Sequence, residues 1–327
     1  METDLLELRD LSTYFYVRKG IIKAVDGVSL RLRRKETLGI VGESGCGKSV
    51  TVLSILRLIS PPGRIVKGEI LLNGKDLLKV PLQRMQSIRG KEISMIFQDP
   101  MTSLNPVFTI GRQISETVMA HQDVSQKEAA KRSIDMLNLV GIDSPEKRIR
   151  AYPHQLSGGQ RQRVMIGMAL SCRPSLLIAD EPTTALDVTI QAQIIDLLLK
   201  LKEDQEASII LITHNFGLVA QMAQWVLVMY AGKVVEEGTV HRLFKKPLHP
   251  YTQGLLQSIP YVRRDGRIPH GATLPEIPGF VPSLLDLPEG CSFYPRCSQK
   301  IETCTKNNPL RCAVEEDHFV SCWLFER

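Results

Sequence analysis

The stretch Gly42-Glu43-Ser44-Gly45-Cys46-Gly47-Lys48-Ser49, continued by Val50, holds residue types that bind a phosphate chain. Its spacing is Gly-x-x-x-x-Gly-Lys-Ser. An apolar run, Leu38–Val41, enters it, and a helix-patterned run, "VTVLSILRLI", leaves it. In that setting the glycines let successive backbone N–H groups turn toward phosphate oxygens at a helix N-terminus. Lys48 is expected to reach the outer phosphates and Ser49 to ligate Mg²⁺. A second pair, Asp180-Glu181, closes the apolar run "SLLIA". A buried strand has no structural need to end in two carboxylates. Asp180 is therefore read as a Mg²⁺ ligand and Glu181 as the group that orients and deprotonates an attacking water. Two more apolar runs, "ISMIF" and "SIILIT", end at Gln98 and His214. Parallel sheets bind ligands beyond the carboxyl ends of their strands, so all four ends point to one chemistry.

A second cradle stands at "LSGGQ", Leu156–Gln160. Ser157 is a natural N-cap, Gly158 and Gly159 allow close backbone approach, and a helical pattern follows. One chain with two phosphate cradles implies either a second site or a composite site completed by another chain.

The elements that must position these residues follow from periodicity. Residues 5–41 alternate short apolar runs with turns and read as strands, and Asn73-Gly74 marks a hairpin. "ISETVMAH" and "EAAKRSIDMLNLVG" carry a helical pattern that Gly141 ends. From Arg161 onward helices alternate with fully apolar runs, the mark of parallel strands joined by crossover helices. The fold class is α/β. After Thr239 the composition shifts, and the segment around Pro269–Pro282 is broken by proline and glycine. Composition narrows the function. Hydrophobic residues make up 43% and charged residues 23% of 327, which suits a packed core. No apolar run approaches the ~18 residues that span a bilayer. The start, "METDLLELRD", is acidic and unlike a secretory signal, which predicts a cytosolic chain. A net charge of +6 without a basic block argues against nucleic acid as a partner, and "RLRR" reads as the solvent face of a strand.

Taken in order, "GESGCGKS", Gln98, "LSGGQ", "LIADEP", "ALD" (Ala185–Asp187) and His214 resemble the nucleotide-binding subunit of an ABC transporter over roughly residues 5–240. The resemblance implies a phosphate-loop NTPase core of parallel sheet and flanking helices, with an N-terminal antiparallel β part and a helical subdomain at about 99–163. It implies head-to-tail dimers in which each ATP lies between one chain's phosphate loop and the other's signature loop. Gln98 would touch Mg²⁺ and link to the membrane partner, whose docking site would be the adjoining "QDPMTSLNP". Ser157, Gly158, Gly159 and Gln160 would meet the γ-phosphate in trans, Asp187 would couple the two sites, and His214 would stabilise the γ-phosphate. An aromatic would stack on adenine; of "STYFYV", spacing favours Phe15, then Tyr16.

"HPYT" (His249–Thr252) and "GCSFYPRC" are similar to the ATPases of dipeptide and oligopeptide importers. That implies a second ATPase subunit, either a paralogue or the same chain, two membrane permeases and, indirectly, an extracytoplasmic peptide-binding protein. The subunit would sit peripherally on the cytoplasmic face of the membrane. Domains are expected at 1–245 and 246–327, the latter a small Cys-rich extension. Five of the seven cysteines follow residue 290, and clustered thiols in a cytosolic chain point to metal more than to disulfides. The resemblance selects Cys291, Cys297, Cys304 and Cys322 and leaves Cys312 aside. Zinc knuckles of tight C-x₂₋₄-C spacing are absent, so a [4Fe–4S] cluster is favoured over Zn²⁺. Two other readings compete: a soluble ABC-type ATPase of DNA repair, and an ATPase regulated by a redox or iron-sensing tail. The first needs long inserts between the ATPase motifs, and Lys48 and Asp180 are only 132 positions apart.

Overall fold

The computed structural model describes residues 4–99, 103–184, 186–259 and 276–326. The chain forms two compact units: Met1–Leu6, Leu32–Thr37 and Leu72–Ile212 make one, and Glu7–Arg31, Leu38–Leu71 and Thr213–Arg327 the other.

In the first unit, strands Ile93–Ile96, Leu176–Asp180 and Ser208–Ile212 pair in parallel, with Ala179 opposite both Ile96 and Leu211. Every residue of the latter two strands is buried, as a strand covered on both faces requires. The expected helical region resolves into Ile110–His121 and Gln126–Leu139, with Gly158–Leu170 and Val188–Gln205 beyond it. Each starts on a side-chain cap. Thr109, Ser125, Ser157 and Asp187 accept from the backbone N–H of Arg112, Glu128, Gln160 and Ile190 respectively. A buried hydrogen bond of 2.8 Å between the hydroxyls of Ser115 and Ser133 fixes the first helix on the second.

The second unit holds most of the antiparallel part, in which the strand Asp4–Val17 lies between Gly20–Arg33 and Gly63–Leu72. It also holds the strand that feeds the phosphate loop, Thr37–Val41, which pairs in parallel with Trp225–Tyr230. Antiparallel pairing then continues through Lys233–Thr239 to His318–Val320 and Cys312–Glu315. The terminal hairpin, which no Asn-Gly or Asp-Gly signal announces, turns on Asp317 in a left-handed conformation (φ 58°) and extends the sheet edge. Residues 276–282 carry neither helix nor strand, while the rest of the proline-rich stretch, 260–275, lies outside the described residues. Among the described residues no helix is long and apolar enough to cross a membrane.

One buried carboxylate organises the C-terminal half of this unit. Glu236 and His318 are both fully buried, and Glu236 Oε1 lies 2.8 Å from His318 Nε2. The same carboxylate accepts from the backbone N–H groups of Leu248 and His249, each at 2.8 Å. His249 in turn caps the helix Pro250–Gln257, its Nδ1 accepting from Tyr251 N–H at 3.0 Å. Burial pushes the His249 imidazole down from 6.5 to about 4, with Glu236 partly opposing the shift. The folded value lies below the unfolded one, so the unfolded chain takes up the proton first on acidification. The stability held above pH 6.5 is therefore lost as pH falls toward about 4. The unfolding free energy from denaturant titration should fall across that window by at most roughly 3 kcal/mol, and His249→Asn should flatten the fall; equal pH slopes in the two proteins would refute the assignment.

Candidate functional site

Gly42–Gly47 wraps from the strand into the helix Lys48–Ile55 as the spacing requires. Gly47 caps that helix at φ 104°, and a Cβ there would lie 2.2 Å from the carbonyl oxygen of Ala24. Gly45 also has positive φ (79°), but none of the described residues stands within 4 Å of its Cβ position. Ser44 and Gly45 are exposed at the tip, Ser49 and Val50 are half-buried, and Cys46 is buried below. Lys48 is buried, its Nζ donating to the carbonyl oxygens of Gly42 (2.7 Å) and Glu43 (2.9 Å). The ammonium is thus held by the loop's own carbonyls. Burial raises the Cys46 thiol, which keeps it a neutral filler under the loop.

In the first unit, Asp180 is the buried last residue of its strand. Glu181 follows with φ 47°, its N–H donating to the carbonyl of Ile212 at 2.9 Å. That left-handed turn separates the two carboxylates. Glu181 Oε2 accepts from Gln98 Nε2 and from the Thr184 hydroxyl, each at 2.9 Å. Two residues singled out separately in the sequence, Gln98 and Glu181, are therefore in contact. Sequence reasoning missed Thr184; its place three residues after the acid was the available signal.

The signature loop is a complete capping box. Gln160 N–H donates to the Ser157 hydroxyl (3.3 Å), and Ser157 N–H donates to Gln160 Oε1 (3.1 Å). Ser157 is exposed, and among the described residues a Cβ on Gly158 would meet nothing closer than Leu186 at 4.0 Å, so this helix start is open to them. Gly159 packs tightly instead, 2.8 Å from Ile190 at its Cβ position. Asp187 spends its carboxylate on capping its own helix. Ala185 and the loop residues Pro100, Met101 and Thr102 lie outside the described residues.

His214 is exposed in the second unit, ahead of Asn215, which caps the next helix by accepting from Gly217 and Leu218 N–H. Of the aromatics, Phe15 is half-buried against Gly63, whereas Tyr16 is 45% exposed with the Arg64 guanidinium 5.9 Å from its ring. Tyr14 is engaged elsewhere, donating to Asp26 at 2.6 Å.

Cys291, Cys297, Cys304 and Cys322 line one small cavity with Phe293 and Tyr294. Cys312 stands apart, its thiol donating to the Val320 carbonyl at 3.2 Å. Burial pushes the Cys322 thiol up to about 11, and the other three thiols add to the shift. All seven cysteines are unpaired. Among the described residues, no group of three or more His, Cys, Asp or Glu side chains is set to hold a metal ion. The expected ligand set is thus gathered around a cavity but is not arranged as a metal centre.

Residues 25–184 match the family model described as ABC transporter, and residues 235–304 match the one described as oligopeptide/dipeptide transporter, C-terminal region. The chain is 51% identical, over 98% of its length, to a probable peptide ABC transporter ATP-binding protein, y4tR of Sinorhizobium fredii, and spans 94% of that protein. It is 51% identical to the oligopeptide transport ATP-binding protein AppD of Bacillus subtilis, covering 98% of this chain and 97% of the relative. Against the dipeptide transport ATP-binding protein DppD of that organism the identity is 48%, covering 98% and 94%. A similar solved structure is the ADP- and Pi-bound dimer of the ATP-binding cassette MJ0796. The TM-score is 0.65 at 26% identity, over 72% of this chain and 98% of that one.

The two loop glycines separate conformation from packing. Gly45→Ala should lower unfolding stability by roughly 1–2 kcal/mol, the cost of a left-handed alanine. Gly47→Ala meets the Ala24 backbone as well and should lose more than twice that in a denaturant titration; equal losses would show that the close approach carries no weight.

Proposed function

The chain belongs to the ABC transporter ATP-binding proteins, and from that membership we propose that it hydrolyses ATP to drive import of dipeptides or oligopeptides. The observation that carries this reading is a phosphate loop in full strand–loop–helix form, joined in one chain to the C-terminal region of the peptide-transporter type.

Catalysis is positioning and electrostatics around the γ-phosphate. Residues Gly42 to Val50 cradle the phosphates with their backbone, and Lys48 leaves its loop carbonyls for the incoming anion. Ser49, Asp180 and the amide oxygen of Gln98 are hard donors of the kind Mg²⁺ takes, and they are the residues that would hold it. Once bound, the ion would supply charge neutralisation for the phosphate oxygens. Glu181 is the base. Its carboxylate is held by Gln98 and Thr184, which aim it before substrate arrives. His214 bonds the γ-phosphate, and Phe15, with Tyr16 second, stacks on adenine.

Ser157, Gly158, Gly159 and Gln160 close the site on the partner ATPase, and Asp187 lies beside the crossing. The open helix start at Ser157 supports that role, since an unobstructed N-terminus receives an anion. The partner is a paralogue or a second copy, seated with two permeases on the cytoplasmic face and served by an extracytoplasmic peptide-binding protein. Residues 1–245 form the ATPase domain and 246–327 its extension. Cys291, Cys297, Cys304 and Cys322 are assigned to a [4Fe–4S] cluster, with Zn²⁺ the alternative. Support comes from the donor chemistry and the shared cavity. No step of hydrolysis runs through it.

Two measurements test this. Glu181→Gln should keep ATP binding and lose steady-state hydrolysis roughly 100-fold or more; unaltered turnover would remove Glu181 as the base. Anaerobically purified protein should contain iron and sulfide in equal amounts with visible absorption that Cys304→Ser abolishes, whereas zinc without iron would replace the cluster assignment.

A further inference from the structure

The first variable residue of the phosphate loop, Glu43, is held by the C-terminal region of the same compact unit. Its carboxylate takes a two-pronged ion pair from Arg296: Nη1 to Oε2 at 2.7 Å and Nη2 to Oε1 at 3.0 Å. Its backbone N–H donates to the Tyr251 hydroxyl at 2.8 Å. Its backbone carbonyl accepts from Lys48 Nζ at 2.9 Å. Every polar handle of Glu43 is thereby engaged, two of them by residues more than 200 positions away.

Arg296 is built into this place. Its side chain is 4% exposed. Nε donates to the Pro278 carbonyl at 3.0 Å, and Nη1 stands 3.5 Å from the Tyr230 hydroxyl. Tyr230 packs edge-on against Tyr251 and Phe293, with centroids 4.7 and 5.2 Å away. A planar fork of donors fixed on its far side by a backbone carbonyl and on its near side by a carboxylate has one orientation. Tyr251 is fully buried, so its hydroxyl has equally little latitude.

We propose that Arg296 is a positioning residue of the nucleotide site, acting through Glu43 to fix the loop carbonyls that store and release Lys48. The C-terminal region is then part of the ATP-binding apparatus. This rests on the reading of the phosphate loop as the ATP site. The effect belongs to ATP affinity, because Glu43 and Arg296 bond the phosphate loop and its support.

The test is steady-state hydrolysis by the full-length chain with Arg296→Gln, Glu43→Gln, the double variant and Arg296→Lys, beside thermal unfolding of each. Both single variants should raise KM for ATP roughly tenfold, mid-range for residues in direct contact, with a smaller effect on kcat. The double variant should be no worse than either single one, because both remove the same link. Arg296→Lys should recover part of the affinity by keeping the charge while losing the fork. Additive KM effects, or a lower melting temperature with KM unchanged, would overturn the proposal. If Arg296→Gln does not fold, an unchanged KM in the conservative pair Glu43→Gln and Arg296→Lys overturns it equally. A wild-type chain that neither binds nor hydrolyses ATP would instead defeat the underlying ATPase reading.

Discussion

The second unit is built around backbone pressed on backbone beneath the phosphate loop. The Cys46 carbonyl accepts from Gly232 N–H at 2.9 Å, and the Gly232 carbonyl accepts from Asp26 N–H at 2.8 Å. Gly47 sits on the Ala24 carbonyl, too close for any side chain. Three segments far apart in sequence, around residues 25, 46 and 231, are therefore locked at main-chain distance. A loop held this way cannot reshape itself by rotamer changes. Any adjustment must come through the residues at its margin, among them Glu43 and Lys48.

This explains why the margin is so heavily bonded. A glycine-rich loop is costly to order, since glycine loses more backbone freedom than any other residue. Side chains outside the loop supply the order instead. Tyr251 fixes one amide and Arg296 fixes one carboxylate, while each is anchored in a packed aromatic cluster. The anchors depend in turn on Glu236. Its carboxylate gathers the turn at Leu248–His249 and the terminal hairpin at His318, which sets the start of the helix carrying Tyr251. An ion buried without those donors would cost several kcal/mol, so strand edge, turn and hairpin stand or fall together.

The motifs were legible in the sequence because they are local. Phosphate loops, paired acids at strand ends and N-capped glycines are set by spacing within about ten residues, and the structure has each in the expected element. The contacts that tune them are not local. Arg296 meets Glu43 across 253 positions, and no periodicity encodes which arginine finds which carboxylate. Glu236 was equally hidden. No motif in the sequence marks it, yet it is 1% exposed, and its donors arrive from later segments. The contact between Gln98 and Glu181 lies between these extremes: both strand ends were marked, but only the parallel register of their strands makes them neighbours.

The region from Glu276 onward has few large buried side chains of its own, chiefly Phe293 and Val320. A segment that poor in apolar area cannot hold a fixed shape by burial alone. Three of its attachments are the ion pair at Arg296, the hairpin edge at His318, and the packing of Phe293 beside the cavity that four thiols line. The first and third are adjacent in sequence, since Cys297 follows Arg296 directly and Phe293 borders both the thiol cavity and the Tyr230–Tyr251 pair. The same stretch of backbone therefore carries a wall of the thiol cavity and the arginine that reaches the phosphate loop. The cysteine cluster and the nucleotide loop, which look like separate features at opposite ends of the chain, share one mechanical support.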